Sequence, residues 1–142
     1  MVYKDVKYTD YNGNQVTDRL HFNLNQYEIL KMDSKYPEGL EEHILSVVRS
    51  GDKKKIMDWF EEFVCASYGI KSEDGKRFIK SKDISEAFIQ SEAFNSLFFE
   101  FLSDQKAMSD FFNAIIQQSD IDRAKLLQNM QNKADASMIT PV

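Results

Sequence analysis

The feature that most constrains this chain is the helical spacing of its apolar residues, which is densest in the stretch SEAFNSLFFEFL at positions 91–102. Five apolar residues there recur at the i, i+3, i+4, i+7, i+8 positions that line one helix face: Phe94, Leu97, Phe98, Phe101 and Leu102. Phe99 lies well away from that stripe. A helix that is apolar on more than one side must be covered, either by its own chain or by another protein.

The same spacing recurs from residue 24 onward and predicts a series of amphipathic helices. A short helix is predicted over 26–32. A second begins after the turn at 37–39 and stops at Gly51, because glycine readily adopts the left-handed conformation that ends helices. A third follows Asp52, a suitable N-cap, and ends at Gly69.

The second half of the chain continues the pattern after a predicted loop over 70–81. A helix begins near Lys82 and is capped again at Ser91, which starts the phenylalanine-rich stretch. A last regular helix begins at Ser103 or Asp104, with Met108, Phe111, Phe112, Ile115 and Ile116 on one face. After Gln118 the apolar density falls.

The N-terminus predicts a β-hairpin. Apolar and polar residues alternate on both sides of the segment YNGN at 11–14, and an Asn-Gly pair readily adopts the positive φ angles of a tight turn. Two strands alone are marginally stable, so their apolar face should pack on the helices.

These elements predict a mainly α fold, in which an N-terminal β-hairpin is followed by a compact bundle of about six amphipathic helices. With 142 residues, of which 42% are hydrophobic, the chain can bury about two thirds of its unfolded surface in one core. The expected organisation is a single globular domain over 1–118, with the hairpin at 2–22 and helices over 24–118. Residues 119–142 are expected to form a weakly helical or disordered C-terminal tail.

Composition limits the partners and the compartment. The formal net charge of −5 repels nucleic acid phosphates and favours a protein partner. The apolar runs are too short to cross a bilayer, and the first ten residues lack a signal pattern, so we expect an intracellular protein without membrane contact. The single cysteine, Cys65, fits a reducing compartment.

The residues that usually carry catalysis are scarce. His21 and His43 are distant in sequence and lack partners at metal-ligand spacing, and Cys65 lies in an apolar helical stretch typical of a core cysteine. The five glycines form no phosphate-binding pattern. We therefore predict a protein that is not an enzyme and has no metal and no cofactor.

Charge is unevenly distributed. The segment 71–82 carries an excess of three positive charges, whereas 83–104 holds five acids and no base. Two interpretations stay open: the charges keep a small acidic domain soluble, or they support head-to-tail self-association or docking onto a partner of mixed charge. RNA binding by the basic segment is a weaker alternative, because Phe78 is its only aromatic residue.

The order of these features resembles the tail assembly chaperones of long-tailed, siphovirus-type bacteriophages and prophages. The resemblance covers roughly residues 3–118. Its most specific part is YGIKSEDGKRFIKS at 68–81, followed by the phenylalanine-rich helix and the closing segment FFNAII. The hairpin and the amphipathic helices alone are common to many folds.

The resemblance implies a non-catalytic assembly factor that acts in the host cell cytoplasm and is not expected in the mature virion. Proteins of this family coat the aggregation-prone tape measure protein before tail tube subunits polymerise around it. The family also commonly makes a longer product by ribosomal frameshifting. The implied partners are the tape measure protein, and further the tail tube protein, the frameshift-extended form and other copies of the chain.

A chaperone for an extended helical client needs exposed apolar side chains. We predict that Phe99, Leu102, Met108 and Phe112 face a partner or another copy, and that the basic residues Lys76 and Arg77 contribute to binding. Two other functions stay open: a structural virion protein of the tail or head-tail region, and a regulatory domain that binds a host protein.

Overall fold

The structure is a computed structural model that describes residues 1–139; beyond Gln118 it describes only the side chains of residues 128 and 130–132. Within that range, a hairpin precedes six helices and a second, very short hairpin, which confirms the predicted mainly α fold. The elements are β1 (Val2–Thr9), β2 (Gln15–Phe22), α1 (Gln26–Asp33), α2 (Leu40–Ser50), α3 (Lys53–Ser67), β3 (Ile70–Lys71), β4 (Phe78–Ile79), α4 (Lys82–Ile89), α5 (Glu92–Ser103) and α6 (Gln105–Ile139).

The N-terminal hairpin is antiparallel, with Val2 opposite Phe22 and Thr9 opposite Gln15. Its turn is longer than the predicted two-residue type, because residues 10–14 separate the strands. Gly13 alone in this turn has a positive φ, 83°. The Asp10 carboxylate accepts hydrogen bonds from the backbone N–H groups of Asn12 and Asn14, and these bonds close the wider loop.

Local capping fixes where the helices begin and end. Asn25 and Glu28 form a reciprocal capping box at the start of α1. Gly51 ends α2 in the left-handed conformation, at φ 65°, and Asp52 caps α3 by accepting from Lys54 N and Lys55 N. These ends agree with the predicted stop and start, although α3 ends at Ser67, before Gly69.

The segment predicted as a loop over 70–81 contains the β3–β4 hairpin, in which Ile70 pairs with Ile79 and Lys71 with Phe78. Two features shape its turn. Gly75 has φ 72°, and the Asp74 carboxylate accepts from Lys76 N and from the Ser72 hydroxyl. A strand of two residues carries no recognisable alternation, which is why the sequence pattern did not indicate it.

The core is rich in aromatic rings contributed by several elements. Phe60 and Phe63 on α3 contact Phe112 on α6, with ring centroids 6.2 and 4.6 Å apart. The hairpin joins this core through Phe22, whose ring meets Phe111 edge-on at 5.0 Å. The predicted packing of the hairpin's apolar face on the helices is thus present, since Val6, Leu20 and Phe22 are all buried.

The last helix, α6, is continuous from Gln105 to Ile139. Its first turns enter the core, where Ile115 and Ile116 are buried. The predicted tail, 119–142, lies partly outside the described residues, which end at 139. The division into a domain over 1–118 and a tail stays a prediction.

Candidate partner-binding surface

Phe99 is the exposed phenylalanine that the sequence singled out. It lies on the outer side of α5 with 57% of its surface accessible, whereas Leu97 and Phe101 on the inner side are 0% and 2% accessible. Its neighbour Glu100 forms an ion pair with Lys4 of β1, with Nζ and Oε1 2.7 Å apart. This contact, together with a hydrogen bond from the Ser96 hydroxyl to the Lys7 carbonyl, fixes α5 beside the hairpin. Phe99 therefore projects from a helix whose inner side is packed on the core and on the hairpin.

The other three apolar residues predicted to face a partner are less accessible. Leu102 is half-buried and packs against the core. Met108 and Phe112 are 1% and 0% accessible, so they cannot contact a partner in this conformation. The correction has a simple cause: the apolar stripe of α6 is wide enough that α1, α2 and α5, together with aromatic rings of α3, cover it from several sides.

A second exposed apolar pair was missed by the sequence analysis. Tyr27 and Leu30 on α1 are 71% and 68% accessible. Leu30 lines a groove of about 410 Å³ whose apolar lining includes Ile29, Leu40 and Ile116, whereas Tyr27 lines a separate groove beside Leu24 and Cys65. The i, i+3 spacing of Tyr27 and Leu30, off the stripe formed by Ile29 and Met32, was the available signal.

The basic segment presents part of its charge to solvent. Lys76 and Arg77 lie at the exposed turn of the β3–β4 hairpin, and neither forms an ion pair with a described residue. Lys80 differs, because its Nζ is 2.6 Å from Oε2 of Glu28 on α1. Lys82 pairs with Glu86 at 3.7 Å. The hairpin turn thus presents two cations that have no ion pair with a described residue, as the start of α3 does with Lys53, Lys54 and Lys55.

Most of the acids in 83–104 have partners inside the molecule. Glu92 accepts a hydrogen bond from the Tyr11 hydroxyl at 3.0 Å, and Glu100 pairs with Lys4. Asp104 caps α6 by accepting from Ala107 N. The acidic segment therefore stabilises contacts between α5, α6 and the hairpin, and it offers fewer free carboxylates than its sequence suggests.

The histidines and the cysteine have structural environments. His43 stacks on Tyr36 with ring centroids 3.7 Å apart, and its Nδ1 lies 2.9 Å from Oε1 of Glu38. His21 lies on the outer face of β2, near Tyr3. Burial raises the pKa of the Cys65 thiol, which disfavours the reactive thiolate. Among the described residues, no group of three or more His, Cys, Asp or Glu side chains is placed to hold a metal ion.

No helix, over the residues that the structure describes, is long and apolar enough to cross a membrane. Phe99, Tyr27 and Leu30 are thus among several exposed apolar side chains of the described residues, which also include Met57 and Ile70.

Comparison with known proteins agrees with this description. Residues 1–138 match the family model for phage tail assembly chaperones. Neither the curated proteins nor the solved structures contain a significant match. Because the family model matches nearly the whole chain, the chain belongs to the phage tail assembly chaperone family.

Proposed function

We propose that this protein binds the tape measure protein of its phage and masks it before the tail tube polymerises, without catalysing a reaction. The observation that carries the proposal is the family match over residues 1–138, combined with an aromatic side chain, Phe99, that α5 exposes to solvent. An exposed ring of this size is unfavourable in an isolated protein, because burying a phenylalanine is worth about 1.5 to 3 kcal/mol. Binding an apolar client would recover part of that free energy.

The binding we propose is weak at each site and reversible. Several copies would lie along an extended client and contact its apolar positions through Phe99 and through Tyr27 with Leu30. Tail tube subunits, which bury a larger area, would then displace them. A very tight coat would prevent the tube from growing around the tape measure.

The proposed contacts among copies involve the basic hairpin turn. Lys76 and Arg77 are exposed cations in a protein whose net charge is −5, so they would attract an acidic surface of a neighbouring copy or of the client. The tail tube protein and a frameshift-extended form of the chain are further proposed partners, because both would meet the coated tape measure during assembly.

Co-purification from cells that express both proteins tests the central proposal. The tape measure protein should co-purify with the wild-type chain, and Phe99→Ser should reduce the recovered amount several-fold while the thermal midpoint stays unchanged. Met57→Ser is the matched control, because Met57 is 52% accessible on α3, a different element. If the wild-type chain never retains the tape measure protein, the proposed function is wrong.

Mass spectrometry of purified virions tests the proposed site of action, the host cell cytoplasm. We expect the protein in lysates of infected cells and not in the particles. A stoichiometric amount in the particles would favour a structural virion protein instead. In the co-purification experiment, a host protein retained in place of the tape measure protein would favour a regulatory domain.

A further inference from the structure

The outer edge of strand β2 is open. One side of β2 pairs along its whole length with β1. On the other side, residues 67–69 approach only the end of the strand: Asn23 N donates to the Ser67 carbonyl at 2.8 Å, and Gly69 N donates to the His21 carbonyl at 3.4 Å. Over residues 15–19, no other described strand is paired with this edge.

The backbone groups on this edge can be identified from the pairing. Successive residues of a strand direct their N–H and C=O groups to opposite sides. Because His21 uses its carbonyl on the outer side, Thr17 and Arg19 also direct their backbone groups outward. Within the part of the chain that the structure describes, these groups have no backbone hydrogen-bond partner. They form an unoccupied template for another strand.

Charge disfavours the closing of this edge by β3. Continuing the bridge between Phe22 and Tyr68 by three residues would place Lys71 directly opposite Arg19. Like charges at directly opposed positions destabilise strand pairing. The backbone hydrogen bonds that would join Arg19 and Lys71 in this pairing are absent, and β3 pairs with β4 instead. The hairpin therefore diverges from β2 after Gly69.

A mainly apolar groove of about 360 Å³ lies beneath the open edge, between the inner face of the hairpin and α4. Leu20 and Phe88 line it and are nearly inaccessible to solvent, and Ile70 at its rim is 52% accessible. Two carboxylates also line it: Asp18, which accepts a hydrogen bond from Tyr8, and Asp83. Every second side chain of a strand added to β2 would point into this groove, because strand side chains alternate between faces. The groove would accept small and medium-sized apolar side chains.

The opposite face of the added strand would meet cations. Lys7, which lies opposite Thr17, and Lys71 are exposed there, and neither forms an ion pair with a described residue. Arg19 is already engaged by Asp5, with Nε and Oδ1 2.8 Å apart. The free positive charge on this face is complementary to acidic side chains of a partner.

We infer that the open edge of β2 binds an extended segment of a partner protein by strand addition. The segment carries apolar residues at the positions that face the groove and acidic residues at the alternate positions. Backbone hydrogen bonds to Thr17 and Arg19 supply the pairing, and the groove and the two lysines supply the selectivity. This inference goes beyond the proposed function, because it concerns a different surface from Phe99 and does not depend on which protein is the client.

Two short, capped synthetic peptides provide the direct test: one alternates valine with glutamate, and the other alternates valine with lysine. The glutamate peptide should bind about ten-fold tighter or more in fluorescence anisotropy at low salt. Its binding should slow amide hydrogen exchange at Thr17 and Arg19 and leave exchange unchanged at Asp18 and Leu20, whose backbone groups face β1. Equal binding of both peptides, no binding of either, or unchanged exchange at these two amides would overturn the inference.

A proline substitution separates the edge from the fold. Thr17→Pro removes an outward N–H that β1 does not use, and proline is tolerated on edge strands, so the protein should fold and bind the glutamate peptide about ten-fold more weakly. Thr17→Val, which keeps the N–H, should bind normally. Ala87→Gln adds bulk at an exposed position that lines the groove, without altering β2, and should also weaken binding. If Ala87→Gln and a folded Thr17→Pro both bind the glutamate peptide as tightly as the wild-type chain, strand addition is contradicted.

Comparing peptide binding with co-purification of the tape measure protein keeps this inference distinct from the proposed function. If the wild-type chain retains the tape measure protein but neither peptide binds, the proposed function stands and the strand-addition inference fails. If the glutamate peptide binds and protects the two amides while the tape measure protein does not co-purify, the reverse holds.

Discussion

Phe99 and Phe112 show how differently one residue type is used in this chain. Phe112 has no accessible surface and contacts rings from α3, including Trp59 and Phe63. Phe99 is mostly exposed and touches mainly its neighbour Phe98. The two side chains have the same hydrophobicity, so their energetic roles depend only on what surrounds them.

Alanine substitutions at these two positions should therefore separate stability from binding. Phe112→Ala should lower the free energy of unfolding by about 3 to 5 kcal/mol, because it leaves a cavity in a packed core. Phe99→Ala should change it by less than about 0.5 kcal/mol, as expected for an exposed position. Urea denaturation followed by circular dichroism measures both. Equal losses would mean that Phe99 is a core residue.

Tyr8 gives the protein a pH dependence in the alkaline range. Its hydroxyl donates to the Asp18 carboxylate across the hairpin, and this bond raises the pKa of Tyr8 from 10.0 to about 12. A raised folded-state pKa means that the contribution to stability is complete below pH 10 and is lost as pH rises toward 12. Ionised tyrosinate cannot donate this bond, and it repels the carboxylate.

We expect Tyr8→Phe to remove part of this alkaline loss. At pH 8 the variant should be less stable than wild type by about 1 to 2 kcal/mol, since it loses a hydrogen bond to a charged acceptor. Between pH 10 and 12 the difference should shrink. Thermal denaturation at several pH values measures it. A difference that stays constant across this window would show that the Tyr8–Asp18 bond contributes nothing.

Helices α4 and α5 are separate elements because Ser91 caps both of their facing ends. Its hydroxyl donates to the Phe88 carbonyl at 2.6 Å and accepts from Phe94 N at 3.3 Å. The break redirects the chain, so that Phe88 on α4 and Phe98 on α5 both reach the core. One straight helix over 82–103 could not bury both helical stripes in the same way.

Removing this cap should weaken the whole domain. Ser91→Ala is expected to lower the free energy of unfolding by about 1 kcal/mol, the usual effect of losing a serine N-cap. Ser103→Ala is the matched control, because Ser103 is an exposed serine whose hydroxyl bonds only to a carbonyl in its own helix. Chemical denaturation of both variants tests this expectation, and a larger loss for Ser103→Ala would contradict it.

The molecule as a whole is organised by internal pairing of its charges. Cations and acids that lie far apart in sequence meet in the fold: Lys4 pairs with Glu100, and Lys80 with Glu28. The separation of the basic segment 71–82 from the acidic segment 83–104 is therefore partly compensated by ion pairs with other parts of the fold. Lys76 and Arg77 at the β3–β4 turn are among the cations that have no ion pair with a described residue.

The predicted division into a domain and a tail can be tested by truncation. A chain that ends at Gln118 should unfold cooperatively with a thermal midpoint lowered by no more than about 5 °C, because the buried residues that the structure describes end at Ile116. Differential scanning calorimetry gives the midpoint and the enthalpy. A truncated chain that does not fold would place the rest of α6 within the domain.

The sequence by itself determined the elements. Periodicity, caps and turn residues depend on neighbours within one helical turn or one strand pair, so the six helices and the first hairpin could be predicted, as could the outward position of Phe99. The family resemblance rested on the same local motifs, and the match over residues 1–138 confirmed it.

Only the tertiary structure decided which apolar faces are covered. Met108 and Phe112 share a helical stripe, and its burial depends on how α1, α2 and α5, together with aromatic rings of α3, surround α6, which local spacing cannot reveal. The exposure of Tyr27 and Leu30, the pairing of distant charges and the open edge of β2 have the same origin. Burial and pairing are properties of contacts between elements, and residues far apart in the chain create those contacts only when the elements pack together.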